Sequence, residues 1–243
     1  IQEKIEDENG KITAIPLTKT GYVRRYCREV CYGNKLPKKE RNKQYRKYRD
    51  LMKSLKLTPE LYHQLKRAFQ GGFTHAAGFY SGKTIPNVAS YDFTSSYPFV
   101  MLSERFPMSP FKMVQVRGRT QFDDYLKNYA CLFDVEFEDL QAKKLIDNPI
   151  SKSRCWDYKG LIEDNGRIFS ADMIKTTITE QDFYIIEKFY KWKKFRVANF
   201  RISHKAYLPK ALAMAILDLY KKKTALKGVL GMELEYELIK EML

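Results

Sequence analysis

Asp92 is the residue whose surroundings in the sequence are best suited to chemistry. It stands near the end of the run VASYDF (88–93), which predicts a short strand, and the polar residues TSS (94–96) follow as a turn. A carboxylate fixed in this way can hold a divalent metal, and metals about 3.5–4 Å apart catalyse phosphoryl transfer. The same pattern is also typical of an aspartate that caps a helix, so spacing alone leaves both interpretations open.

Two further features could serve a ligand. Gly71 and Gly72 follow a predicted helix, and glycine permits a close approach of the backbone to a ligand because it carries no side chain. Residues 35–57 are rich in lysine and arginine, with Tyr45 and Tyr48 among them. That segment could hold a nucleic-acid backbone and stack on bases, or it could be a solvated helix face with the aromatic rings turned inward.

Hydrophobic periodicity predicts the elements that position these residues, and together they indicate the α+β class. Strands are predicted at CLFDVEFEDL (131–140), RIFSA (167–171) and FRVANFRI (195–202). The alternation in the first of them places Asp134 on the outward face. One helix is predicted from Pro59, with Leu61, Leu65 and Phe69 on its apolar side, and another from Thr179, with a capping box to Asp182. The residues SSYP (95–98) turn into an apolar helix that holds Phe99, Val100, Met101 and Leu102. A helical pair is predicted over 207–243, joined by the link KKKTALKG (221–228).

The charge of the chain indicates a polyanionic partner. The sequence has 44 Lys and Arg against 29 Asp and Glu, a formal net charge of +15. No apolar run reaches the roughly 20 residues of a membrane span, and the charged start lacks the apolar core of a signal peptide. We therefore expect no membrane partner, and the cysteines, which lack metal-ligand spacing, suit reduced thiols in a cytoplasmic protein, in a bacterial host cell if the source is a phage or prophage.

The letters around Asp92 favour the metal-binding interpretation. YDFTSSYP (91–98) resembles the DxxSLYP motif of family B DNA polymerases, with Asp92, Ser95, Tyr97 and Pro98 at the matching places. Ser96 stands where the family usually has leucine. The resemblance implies that Asp92 is a catalytic residue that binds both of two Mg²⁺ (or Mn²⁺) ions, helped by the backbone carbonyl of Phe93.

A second motif points to one branch of that family. FQGGFT (69–74) resembles the YxGG motif of the protein-primed polymerases of phages and linear plasmids. Gly71 and Gly72 match this motif, whereas Phe69 replaces its tyrosine. The resemblance implies that Gly71, Gly72 and Ser95 lie along the template or primer DNA.

The resemblance also implies a set of nucleotide contacts. Tyr97 would lie beneath the incoming sugar and select deoxynucleotides. Lys240, together with Lys222 or Lys223, would neutralise the triphosphate, as cations arranged around developing charge do. Without the motif, Tyr97 would be interpreted as a core tyrosine and the lysines as part of a solvated helix face.

Four regions follow from the order of the motifs. We expect a basic helical lead-in (1–60), a polymerase palm part with a short mixed or antiparallel sheet (61–139), an inserted subdomain (140–205) and a helical fingers segment (206–243). The insertion resembles the region that contacts the terminal protein in protein-primed polymerases. The start at Ile1 and the uncapped helical pattern at the end led us to expect a piece of a longer protein.

The predicted function is DNA-directed DNA synthesis onto a primer 3′ hydroxyl, or onto a terminal-protein hydroxyl, by two-metal phosphoryl transfer. The expected partners are template and primer DNA, deoxynucleoside triphosphates and, in the protein-primed case, a terminal protein. The second metal-binding carboxylate is expected outside this chain, so the chain alone is expected to be inactive. The alternative is a non-catalytic basic nucleic-acid-binding replication protein, for which the net charge and residues 35–57 would suffice.

Overall fold

The structure is a computed structural model that describes Gly21, Val23, Arg25, Tyr26 and residues 37–72, 80–145 and 148–243. Most of the predicted lead-in before residue 37 lies outside these residues. The chain divides into two compact units. The helical unit comprises Ile1–Lys53, Phe93–Arg105 and Tyr207–Leu243, and the sheet unit comprises Ser54–Asp92 and Phe106–Ala206.

Runs of helices and runs of strands follow one another along the described residues. The helices are α1 (Lys38–Ser54), α2 (Pro59–Ala68), α3 (Ser96–Ser103), α4 (Arg119–Asn128), α5 (Glu180–Phe189), α6 (Lys210–Leu226) and α7 (Glu233–Met242). The strands are β1 (Phe106–Pro107), β2 (Lys112–Met113), β3 (Tyr129–Ala142), β4 (Cys155–Lys159), β5 (Ile162–Asp164), β6 (Arg167–Thr179), β7 (Tyr190–Lys191) and β8 (Lys194–Ala206). Within the described part of the chain, no helix has both the length and the apolar character to cross a bilayer.

One antiparallel sheet organises the sheet unit, which confirms the predicted α+β class. Its order is β1-β8-β3-β6-β4, while β2 pairs with β8, β5 with β6 and β7 with β3. The long strands β3, β6 and β8 form its centre because their alternating apolar residues face one core. Aromatic rings fill that core, and Phe133 stacks on Phe200 with 4.9 Å between ring centroids.

The central strand β3 is covered on both faces, and this overturns one prediction. Asp134 was expected to face outward, but only 6% of the residue is exposed. Its face of the sheet lies beneath α2, whose Leu61 and Ala68 form a small apolar cluster with Leu132. Alternation correctly separates Asp134 from Phe133, but it does not reveal that a helix covers the second face.

Helix α2 begins where the sequence predicted, at Pro59, and Thr58 caps it by accepting a hydrogen bond from the Leu61 amide. Its end differs from the prediction. Ala68 is its last residue, and the side chain of Phe69, expected on the buried face, is exposed. The backbone turns to an extended conformation at Phe69, so this side chain leaves the helical face.

The predicted capping box of α5 is present. The Thr179 hydroxyl accepts from the Asp182 amide at 3.3 Å, and the Asp182 carboxylate accepts from the Thr179 amide at 2.9 Å. Two of the helix's otherwise unpaired amides are thereby satisfied at the point where β6 ends. The capping box predicted from the sequence is therefore confirmed.

The segment before α3 is not the strand that was predicted. Residues 88–93 have no strand pairing in the described residues, and Val88, Tyr91 and Phe93 are all exposed. A strand needs a neighbour to satisfy its backbone groups, and β-forming residues alone do not supply one. Asp92 therefore lies in an exposed segment without regular secondary structure.

In the helical unit, α3 packs on α6, and α6 packs on α7. The predicted helical pair over 207–243 is confirmed, but the link between its members lies elsewhere. Helix α6 continues through Leu226, so Lys222 and Lys223 belong to the helix and not to a loop. Lysine is a good helix former, and the glycines that end the pattern come later, at Gly228 and Gly231.

Arg105 ends one part of the helical unit, and Tyr207 begins its next part. The Arg105 guanidinium lies over the Tyr207 ring, 5.2 Å from its centroid. The next residues in each direction pair in the sheet, where Phe106 lies opposite Ala206 in an antiparallel register. We call this place the neck.

The four predicted regions do not coincide with the two units. The expected boundary between residues 139 and 140 falls inside β3, and residues 61–92 share a unit with the predicted insertion. Packing defines the units, whereas motif order defined the regions. The four-region division stays a prediction about function.

Candidate functional site

Six of the eight residues of the YDFTSSYP motif are exposed around the start of α3, whereas Ser95 is half-buried and Pro98 is buried. Asp92 and Phe93 precede the helix, and Tyr97 lies in its first turn with 84% of the residue exposed. Ser95 is the N-cap residue and has a left-handed backbone with φ of 52°, an uncommon conformation for serine. The exposed ring of Tyr97 does not support the interpretation as a core tyrosine.

Lys223 is held against this motif within the helical unit. Its ammonium donates a hydrogen bond to the Ser95 hydroxyl at 2.9 Å, and its residue is partly buried. The bond joins α6 to the N-cap of α3, the element that also carries Tyr97. The structure therefore brings together Lys223, Ser95 and Tyr97 of the predicted site residues.

Lys222 has different partners. Its ammonium lies 3.0 Å from an Asp218 carboxylate oxygen and donates to the Tyr26 hydroxyl at 3.0 Å, while that hydroxyl donates to Asp218. The hydrogen bond to Tyr26 raises the pKa of Lys222, and the bond from Tyr26 lowers the pKa of Asp218. Burial first, and then the bond to Asp218, raises the pKa of Tyr26. The ammonium of Lys222 is thus already paired with Asp218 and Tyr26.

Lys240 lies on α7, where it pairs with Glu237 one turn earlier at 3.1 Å. This bond is the main cause of the raised pKa of Lys240. Both side chains are exposed, and a pair of this kind contributes little to stability. The structure neither joins Lys240 to Lys223 by a described contact nor removes it from solvent.

The structure shows how the carboxylate of Asp92 stands relative to other potential metal ligands. Asp92 is exposed, and within the described ranges no group of three or more His, Cys, Asp and Glu side chains could hold a metal ion. Asp134 is buried among its own hydrogen-bond donors, and Asp123 pairs with Arg119. Asp92 fits the role of one ligand in a larger set, and not that of a complete metal site.

A second candidate surface lies within the sheet unit, and we call it the basic cleft. It has a volume of about 430 Å³. Four cationic residues, the end of α2 and the start of β4 contribute to its lining, which consists of Lys66, Arg67, Phe69, Gln70, Gly71, Gly72, Ser151, Ser153, Arg154, Cys155, Trp156 and Arg167.

The two glycines of the cleft have no described structural need to be glycine. A Cβ added at Gly71 or Gly72 would meet no atom of the described residues within 4 Å, and neither backbone adopts a positive φ. A side chain at either position would therefore occupy open space beside the cleft. This is the arrangement expected where a ligand, and not the protein's own packing, requires a bare backbone.

Arg154 and Trp156 are among the cleft residues that sequence reasoning missed. Arg154 donates to the Arg67 carbonyl at 3.0 Å, which ties the start of β4 to the end of α2, and burial lowers the pKa of its guanidinium. Trp156 is about half exposed. The signal available in the sequence was SKSRCWDYK (151–159), a basic run that includes tryptophan, but its distance in sequence from Gly71 concealed the shared cleft.

Comparisons with known proteins give the family and the fold. The family model described as DNA polymerase type B, organellar and viral, matches residues 35–196, which is more than half of the chain. No sequence among the curated proteins matches significantly.

Three solved structures of Phi29 DNA polymerase share the fold. The ternary complex with primer-template DNA and incoming nucleotide substrates superimposes with a TM-score of 0.65 at 15% identity, covering 99% of this chain and 36% of that one. The orthorhombic crystal form gives 0.57 at 16% identity, and the binary complex with primer-template DNA gives 0.55 at 14%. Each of the latter two covers 76% of this chain and 30% of the other. The chain thus spans about a third of the length of these polymerases.

Proposed function

Since the chain belongs to the organellar and viral type B DNA polymerases, we propose that it supplies part of the nucleotide-binding and DNA-binding surface of a DNA-directed DNA polymerase. The observation that carries the proposal is the exposed motif from Asp92 to Tyr97, joined to α6 through Lys223. Family membership confirms the prediction that the chain is part of a type B polymerase. We propose the polymerase activity for the complete protein.

Asp92 would serve as a metal ligand of the polymerase reaction. Divalent metals bound there would activate the attacking 3′ oxygen and stabilise the leaving pyrophosphate. The exposed carboxylate and the carbonyl of Phe93 can supply oxygen ligands, which Mg²⁺ prefers. Other carboxylates would complete the set.

The basic cleft would hold single-stranded template DNA. Four cationic side chains line it, and the bare backbone at Gly71 and Gly72 permits a close approach of the sugar-phosphate chain. Trp156 offers an aromatic face on which a base can stack, a contact that tolerates every sequence. Electrostatic attraction and stacking together are what a polymerase needs to hold a template without reading it.

Priming can start from a nucleic-acid 3′ hydroxyl or from a protein hydroxyl. The resemblance of residues 69–74 and 140–205 to the protein-primed branch favours a terminal protein as partner. The complete polymerase, given a candidate terminal protein and a labelled deoxynucleotide, should then attach the label to that protein. A label found only in extended nucleic-acid primers would assign the enzyme to nucleic-acid priming.

We expect the complete polymerase to extend a primed template with Mg²⁺, and the chain of residues 1–243 to bind the same DNA without extending it. The physical reason is that one exposed carboxylate does not hold two metals. Primer extension resolved on a denaturing gel, with binding measured on the same labelled DNA, checks both halves. Extension by the chain alone would show that its metal site is complete, and no extension by the complete protein would contradict the proposed function.

The two adjacent lysines of α6 should differ in their effect on nucleotide binding. Lys223→Ala should lower kcat/KM for the incoming deoxynucleotide by about 10²-fold, the scale of removing one donor placed around developing charge. Lys222→Ala should have a much smaller effect because that ammonium already neutralises Asp218. Steady-state incorporation of one nucleotide measures both, and a larger effect at Lys222 would reverse the assignment.

A further inference from the structure

The buried carboxylate of Asp134 lies at the centre of a hydrogen-bond network beneath α2. It accepts from the Thr177 hydroxyl and from the Asn199 amide, each at 2.7 Å. Arg67 and Gln64 approach the same carboxylate at 3.4 Å from the helix above. Donors from α2, β6 and β8 therefore converge on one charge in β3.

Gln64 adds two further bonds between α2 and β8. Its amide nitrogen donates to the Asn199 carbonyl at 2.9 Å, and its oxygen accepts from Arg201 at 2.8 Å. Only 3% of Gln64 is exposed, so these bonds take the place of water. Each bond has a fixed direction, and together they determine which side of α2 faces the sheet.

The apolar contact beneath α2 is too small to determine this alone. It consists of Leu61, Ala68 and Leu132, with Leu65 and Phe111 packed beside them. Apolar contact is non-directional, so a helix docked by a few such residues can rotate or slide. A buried charge tolerates much less displacement, because losing a partner leaves it uncompensated. The carboxylate therefore specifies the rotation and register of α2.

Arg67 belongs both to the buried network around Asp134 and to the lining of the basic cleft. Its Nε donates to the Thr177 hydroxyl at 3.1 Å while its NH2 faces Asp134. Its backbone carbonyl accepts from Arg154, and 44% of its side chain is still exposed where it lines the cleft. One residue thus joins the buried network, the end of α2 and the wall of the cleft.

We propose that Asp134 is a positioning residue for single-stranded DNA in the basic cleft. It does not touch the DNA. It holds Arg67 in place and fixes the end of α2, from which the chain continues to Gly71 and Gly72. This inference rests on the proposed function of the cleft and adds a named residue that controls its geometry from the core.

The test compares four single variants and one double variant of the complete polymerase. Asp134→Asn removes the charge with little change of shape, Thr177→Val removes the bridging hydroxyl, and Arg67→Gln removes the cation in the cleft. Glu138→Gln is the matched control, because Glu138 lies on the same strand and pairs with Arg196. The probe is a labelled oligothymidylate, whose Kd is measured over a salt series at a temperature where thermal unfolding shows every variant to be folded.

We expect Asp134→Asn and Thr177→Val to raise Kd by about tenfold, on the scale of a lost charged hydrogen bond. The salt slope should fall in magnitude by about 0.7, the contribution of one neutralised phosphate. The Asp134→Asn, Arg67→Gln double variant should bind no more weakly than Arg67→Gln alone, since both changes remove the same contact. Glu138→Gln should bind as the unmodified protein does.

Different results would contradict DNA binding by the cleft and the positioning role of Asp134. If Arg67→Gln leaves Kd and salt slope unchanged, the cleft does not bind DNA and the proposed function of the cleft is wrong. If Arg67→Gln weakens binding but Asp134→Asn and Thr177→Val only lower the unfolding temperature, Asp134 is a structural residue and the inference is overturned. Should Asp134→Asn not fold, Thr177→Val, which keeps the carboxylate, decides alone by the same criteria.

Discussion

Replacing Asp92 with asparagine in the complete polymerase is expected to reduce nucleotide incorporation by about 10³-fold or more while DNA binding stays within about twofold. The amide that replaces the carboxylate has no negative charge with which to hold the metals. Asp92 is exposed, so the substitution should cost little stability. Single-turnover incorporation with Mg²⁺ and equilibrium binding of primed DNA separate the chemical effect from the binding effect.

Asp164→Asn is the matched control for this prediction. Asp164 is also exposed, but it lies on β5 in the sheet unit, away from the motif in sequence. The same change of charge there should leave incorporation unchanged. Incorporation that survives Asp92→Asn would show that Asp92 is not a metal ligand, and an equal loss in both variants would point to net charge as the cause.

Replacing Tyr97 with valine is expected to let ribonucleotides into the site. The ring would otherwise lie beneath the incoming sugar, where a 2′ hydroxyl would clash with it. The exposure of Tyr97 in the first turn of α3 leaves its ring available for this contact. We expect the ratio of kcat/KM for deoxynucleotides over ribonucleotides to fall by about 10²-fold, the discrimination that a shaped pocket commonly provides.

The Tyr97 prediction is checked with single-nucleotide incorporation by the complete polymerase. Tyr97→Phe keeps the ring and should retain the discrimination, which separates the steric effect from the hydroxyl. Tyr91→Val alters another exposed tyrosine six positions earlier and should leave the ratio unchanged. If Tyr97→Val still rejects ribonucleotides, another residue excludes the 2′ hydroxyl.

Local signals in the sequence predicted the elements well where one residue decides the structure. The capping box from Thr179 to Asp182 placed α5, and Pro59 placed the start of α2, because both depend on neighbours within one turn. The signals failed where a distant segment decides. VASYDF has strand-forming residues but no partner strand, and Asp134 has an outward position in its strand that a helix then covers.

The candidate site divides in the same way. Asp92, Ser95 and Tyr97 were found because their motif is contiguous. The sequence does not distinguish Lys222 from Lys223, whereas their contacts to Asp218 and to Ser95 differ, and our proposal of Lys223 rests on that difference. The basic cleft is lined by residues from 66–72, 151–156 and 167. Because these segments are far apart in the sequence, spacing alone does not predict that they share a surface.

The neck has a consequence for how this region can change over time. Because Arg105 lies against Tyr207 and Phe106 pairs with Ala206, the segment between them begins and ends at one point. An insertion or deletion within such a segment need not alter the path of the chain outside it. Loop-closure entropy changes only slowly with length, so a longer segment would cost little. The span from 106 to 206 is therefore where we expect related polymerases to differ most in length, acquiring new partner-binding surfaces while the helices around Tyr97 and Lys223 keep their arrangement.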